Sequence, residues 1–129
     1  MKIFAFKECT SLKEIEIPPN VKKIKKDTFN NCTSLLTVNL SNVEKIKRHA
    51  FYGCASLKRV DIPPSVKLIE EYAFGGCTSL VHVSFSSSVN TIKNHAFSEC
   101  ESLKYVEVPS SMKAIDNEVF PLETKIVRV

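Results

Sequence analysis

The chain has 129 residues, 43% hydrophobic and 25% charged, enough apolar mass for a packed core and unlike a disordered or collagen-like composition. Its 3 glycines leave no material for glycine-rich phosphate loops, and no apolar run approaches the length that spans a bilayer. The formal net charge of +4 is uneven: residues 1–60 carry twelve Lys/Arg against five Asp/Glu, and residues 61–129 carry six against nine, a polarity that can steer a partner without identifying it.

One phrase recurs along the chain. It reads AFKECTSL at 5–12, TFNNCTSL at 28–35, AFYGCASL at 50–57, AFGGCTSL at 73–80 and AFSECESL at 96–103. The phenylalanines Phe6, Phe29, Phe51, Phe74, Phe97 and Phe120 step by 23, 22, 23, 23 and 23. The cysteines Cys9, Cys32, Cys54, Cys77 and Cys100 keep the same steps. A period of this size marks stacked structural repeats. The units start near 5, 28, 50, 73, 96 and 119, and residues 1–129 read as a single repeat domain. The opening MKIFAFKECTSL lacks the apolar core and cleavage site of a signal peptide. Because a repeat is under way by residue 5, the chain reads as a fragment that leaves its targeting signals elsewhere.

Each unit predicts the same elements in order. The AFxxC piece sets Phe and Cys three apart, as in one turn of α- or 3₁₀-helix with both side chains inward. Next come LKEIEI, LLTVNL, LKRVDI, LVHVSF and LKYVEV in the five complete units, whose alternation predicts a strand. Proline ends it at Pro18-Pro19, Pro63-Pro64 and Pro109. A V-x-x-I step follows (Val21/Ile24, Val43/Ile46, Val66/Ile69, Val89/Ile92, Met112/Ile115) and predicts a second short strand. One coil cannot bury these residues, whereas stacked coils bury them as ladders. About five and a half coils at roughly 4.8 Å each predict a rod on the order of 25 Å long, with parallel sheets.

The pattern AFxxCxSLxxVxIPxSVxxI resembles the BspA-like leucine-rich repeats, the Treponema-type subclass with a period near 23, from Phe4 to Val129. The resemblance implies an α/β but mostly β solenoid, right-handed, with one parallel sheet on its concave side. It also implies the settings of such repeats: surface proteins of oral and gut anaerobes, and protists such as Trichomonas and Entamoeba, where members look like adhesins for host matrix or cells. It carries over no catalytic residue and no cofactor. Two units depart from the pattern. The second, with NLSNVEKI, is one residue short and lacks proline, so its coil should pinch. The last, VFPLETKIVRV, loses Cys and Ser-Leu and reads as a fading repeat or cap, with Ile126 and Val129 aligned on Leu103 and Val106. No polar cap precedes the first unit, so Phe4 and Phe6 are expected at an exposed stacking face, which favours end-to-end self-association or reflects upstream repeats that have been removed.

Alternation turns two columns of side chains outward from the first strand series. One is Glu14, Thr37, Arg59, His82 and Tyr105; the other is Glu16, Asn39, Asp61, Ser84 and Glu107. They are the candidate ligand face, and a solvated sheet is the bland alternative. VKKIKK (21–26) and VEKIKR (43–48) stack in adjacent coils. They form a candidate basic patch of Lys22, Lys23, Lys25, Lys26, Lys45, Lys47 and Arg48. An acidic protein or a sulfated glycan suits it. Nucleic acid suits it less, because no aromatic platform is interleaved.

The five cysteines fall in a column about 5 Å apart, a spacing at which a disulfide is conceivable. The close pairs typical of zinc sites are missing, and the preferred reading is buried, reduced thiols. His49 and His95 fall two residues before a Phe, at a position read as variable surface, and His82 points outward. Ser11, Ser34, Ser56, Ser79 and Ser102 are set by the repeat and expected to hold turn backbone. Two N-x-[ST] sequons, at Asn31 and Asn39, matter only in a eukaryotic secreted protein. Two functions follow: an adhesion module at a cell surface, recognising a host matrix or cell-surface protein, and an intracellular scaffold that binds a protein partner.

Overall fold

The computed structural model describes residues 3–112 and 115–129. Two strand series alternate along the coils. The first comprises β1 (Glu14–Ile15), β3 (Thr37–Val38), β5 (Arg59–Ile62), β7 (His82–Phe85), β9 (Tyr105–Val108) and β10 (Lys125–Arg128). The second comprises β2 (Lys23–Ile24), β4 (Lys45–Ile46), β6 (Leu68–Ile69) and β8 (Thr91–Ile92). The second series forms one parallel sheet in the order β2-β4-β6-β8, which aligns Ile24, Ile46, Ile69 and Ile92. The first series pairs as β1/β3, β5/β7 and β9/β10, all parallel. Its first interruption, between β3 and β5, falls at the unit that is one residue short. Its second, between β7 and β9, lies beside Phe85, which stands where neighbouring coils carry Ile62 and Val108.

The core is a set of ladders. Phe29, Phe51, Phe74 and Phe97 are fully buried, and each stacks on the next. Ring centroids from Phe6 to Phe120 lie 5.1–5.4 Å apart, with interplanar angles no larger than 17°. Stacking through ring edges and faces adds to what burial alone contributes. Leu35, Leu57, Leu80 and Leu103 form a second ladder, and the buried cysteines a third. Phe6, Cys9, Leu12, Ile15 and Ile17 of the first coil are only partly buried, and Phe4 is 51% exposed.

Two expectations change. The AFxxC segments are successive tight turns, and no helix forms among the described residues. Asp27 and Asn31, His49 and Gly53, Tyr72 and Gly76, and His95 and Glu99 all have φ between 58° and 73°. A left-handed residue every fourth position breaks any helical run. The turns also hydrogen-bond between coils: the Phe29, Phe51 and Phe74 N–H groups donate to the Ala50, Ala73 and Ala96 carbonyls at 2.7–2.8 Å. A helix would consume those donors internally.

The last coil is also tighter than the repeat predicts. Ile126 pairs with Val106 and Val127 with Glu107, a step of 20 residues rather than 23. The alignment of Ile126 on Leu103 and Val129 on Val106 therefore does not hold. Without the Cys-x-Ser-Leu segment the chain turns back sooner, and the buried Thr124 hydroxyl donates to the Leu103 carbonyl. Ile126 and Val129 are 43% and 64% exposed.

Candidate functional site

Strand pairing sets outward residues side by side within each pair of the first series. Glu14 pairs with Thr37, Arg59 with His82, and Asp61 with Ser84, while the residues between them turn inward. Val60, Val83 and Val106 are buried, whereas Arg59, Asp61, His82, Tyr105 and Glu107 are exposed and Ser84 is half-buried. The shortened last coil adds Lys125 after Tyr105 and Val127 after Glu107. The sequence reading missed these two because it carried the 23-residue step to the end.

The middle of this face is internally organised. The Arg59 guanidinium lies 3.1 Å from the Asp61 carboxylate, and Ser84 Oγ donates to Asp61 Oδ1 at 2.7 Å. The Ser84 hydrogen bond, then that from Arg59, holds the Asp61 carboxyl below its ordinary range. Tyr105 OH donates to Glu107 Oε2 at 2.8 Å, and this bond raises the phenol. Asn39 Oδ1 accepts the Ser41 N–H at 3.0 Å. Glu14, Glu16, Thr37 and Asn39 line one depression. His82, Ser84, Tyr105 and Glu107 line another together with Val129.

The basic residues lie on the second series. Lys23 is directly in register with Lys45, and Lys25 and Lys26 follow it as Lys47 and Arg48 follow Lys45. Lys47 reaches Glu70 at 3.2 Å and Arg48 reaches Glu71 at 3.5 Å in the next coil.

The corner between the sheets holds a feature that the sequence reading treated as variable surface. The rings of His49 and Tyr72 stack at 5.2 Å and those of Tyr72 and His95 at 5.0 Å. Tyr52 meets His49 and Tyr72 edge-on. His95 Nε2 lies 3.3 Å from Glu118, and burial, opposed by Asp27 and Glu71 and joined by Arg48 and Lys26, lowers the His49 imidazole. His49, Tyr72 and His95 coincide because each occupies the left-handed turn position of its coil.

The cysteines are free, and each buried thiol donates to a phenylalanine carbonyl of the preceding coil: Cys32 to Phe6, Cys54 to Phe29, Cys77 to Phe51 and Cys100 to Phe74, at 3.1–3.3 Å. Burial pushes Cys32 up to about 11 and raises Cys54 and Cys77 further. Among the repeat serines, Ser102 Oγ donates to the Thr78 carbonyl of the preceding coil at 2.7 Å. Among the described residues, no helix is long and apolar enough to cross a membrane, and no three His, Cys, Asp or Glu side chains converge.

Parallel strands on two sides of each coil, with Leu, Val, Ile and Phe inside at a step of 22 or 23, define a leucine-rich-repeat solenoid. The chain belongs to the family described as the BspA type leucine rich repeat region, whose model matches residues 1–127 in 6 copies. It is similar to the crystal structure of a leucine rich repeat protein from Treponema pallidum, with 34% identity and a TM-score of 0.79 over 82% of this chain. A leucine-rich repeat protein from Bacteroides ovatus matches with 31% identity and a TM-score of 0.66 over 84% of the chain. A leucine rich cell surface protein from Faecalibacterium prausnitzii matches with 29% identity and a TM-score of 0.73 over 98%. The matched regions cover 50%, 34% and 31% of those three proteins. No curated protein sequence matches the chain. The family is consistent with a protein-binding repeat module, because stacked repeats present one extended surface.

Proposed function

We propose that this chain is a non-enzymatic adhesion module, a single repeat domain of a cell-surface protein. Its concave strand face recognises a host matrix or cell-surface protein. One observation carries the reading: the coils repeat their core almost letter for letter, yet the outward strand positions differ from coil to coil. Glu14, Thr37, Arg59, His82 and Tyr105 share one column and five chemistries, and Glu16, Asn39, Asp61, Ser84 and Glu107 line the next. A diversified, pre-organised polar face on a uniform scaffold is suited to recognition. The Faecalibacterium relative, named as a cell surface protein, supports the location. The experiment is surface plasmon resonance against a panel of purified matrix proteins, with the Arg59→Ala/Tyr105→Ala variant beside the parent. A matrix protein that binds the parent and loses at least tenfold on the variant supports the reading. Binding that ignores both substitutions overturns it.

A second reading, an intracellular scaffold binding a protein partner, is favoured by the column of free thiols. Reduced cysteines are the rule in reducing compartments. Burial gives the same thiols protection outside the cell, so the location of the protein separates the two readings.

A further inference from the structure

The second sheet sets like charges opposite one another, and the fold relieves only part of that repulsion. Lys23 and Lys45 sit directly opposite on paired parallel strands. One residue past the aligned isoleucines Ile24 and Ile46, Lys25 faces Lys47, and Lys26 faces Arg48 beyond them. Like charges directly opposite on neighbouring strands destabilise a sheet. Lys47 and Arg48 escape by reaching to Glu70 and Glu71. Among the described residues, Lys22, Lys23, Lys25, Lys26 and Lys45 have no carboxylate within 4.0 Å. Glu44 follows Lys22 in its column but pairs with none of them, and Asp27 is buried at the corner with Asn30.

We infer that this lysine strip is a binding site for a linear sulfated glycan, on a different face from the protein-recognition columns. The ammonium groups rise from a grid about 4.8 Å across the strands and about 7 Å along them. That spacing suits a chain carrying closely repeated anions. Lysine binds an anionic oxygen as a compact point charge, without the fixed bidentate geometry of the arginine fork, which suits closely repeated anions of variable orientation. The single arginine here is committed to Glu71. The strip also lacks an exposed aromatic or apolar anchor, which a protein interface needs for its energetic centre. A single-stranded nucleic acid finds no ring to stack on.

Heparin is the probe, measured by titration calorimetry across a salt series. The parent should bind with an affinity that falls linearly with salt on logarithmic axes, as released counterions dictate. Lys23→Gln/Lys25→Gln/Lys45→Gln should weaken binding at least tenfold and flatten the salt slope by about three, and Lys23→Gln alone by about one. The control Lys13→Gln/Lys58→Gln/Lys104→Gln changes net charge equally but lies on the other sheet's side, and should retain affinity within about twofold. All variants should stay folded, with the strip variants melting at or slightly above the parent because they relieve the opposed lysines. Equal loss in the control would reduce the effect to net charge and overturn the inference. So would equally tight binding of desulfated heparin, of polyglutamate or of duplex DNA at the same salt, or no binding of heparin at low salt.

Discussion

Phe74→Ala tests the stacked-ladder core most sharply. The ring is fully buried and lies between Phe51 at 5.1 Å and Phe97 at 5.3 Å, nearly parallel to both. Removing a buried phenylalanine costs about 3–5 kcal/mol in lost transfer energy and cavity. Each aromatic neighbour adds about 0.5–1.5 kcal/mol to such a contact. The expected loss is therefore at the upper end, about 4–5 kcal/mol. Phe6 has a single ring neighbour, Phe29 at 5.4 Å, and is partly exposed, so Phe6→Ala should cost about 1–2 kcal/mol. A domain of this size has about 5–15 kcal/mol to lose, so both variants should remain measurable. Urea unfolding followed by circular dichroism reads the difference. With a slope of about 2 kcal/mol per molar, the Phe74→Ala midpoint should fall by about 2 M. A lower slope in this variant alone would show the two halves unfolding separately, as a nearest-neighbour array allows. A loss below about 1.5 kcal/mol, or one equal to that of Phe6→Ala, would refute the continuous ladder.

Three further outcomes are expected. Arg59→Ala/Tyr105→Ala should shift stability by less than about 1 kcal/mol, because the Arg59–Asp61 pair is solvent-exposed and such pairs contribute little; unfolding of that variant would show the inward–outward register to be wrong. Stability should fall between about pH 8.5 and 11, because unfolded thiols ionise near 8.5 while folded Cys32 holds its proton to about 11 and Cys54 and Cys77 hold theirs beyond it. The folded state binds more protons in that window, so the slope of stability against pH is negative there; Cys54→Ala should show a smaller loss, and an unchanged loss would contradict the burial of that thiol. Gly53, with φ of 73°, should lose about 1–2 kcal/mol as Gly53→Val in urea titration. Gly53→Asn should cost less, since Asn31 already occupies the same turn position one coil earlier at φ 60°.

Much of this architecture was legible in the sequence because the repeat constrains each core position several times. Phe, Cys and Leu recur at one step, so each coil corroborates the inward register of the others, and the two outward columns follow from alternation. Legibility failed where a residue's role depends on backbone conformation or on an end. His49, Tyr72 and His95 do not form a residue-type pattern with Asp27 and Glu118, yet the left-handed turn stacks their rings. The same turns replaced the expected helical segment, since a Phe–Cys spacing of three fits either. The last coil takes a step of 20 residues because it lacks the Cys-x-Ser-Leu segment, which moves Lys125 and Val127 onto the outward columns. At the first coil Phe4 is exposed, and Phe6 is partly buried with its ring stacked on Phe29.

Labelling of intact producing cells with an antibody raised against this domain tests the central claim most directly. The account predicts labelling without permeabilisation, reduced when cells are first treated with an external protease. Labelling that appears only after permeabilisation would contradict the adhesion reading and leave the intracellular protein-binding scaffold in its place.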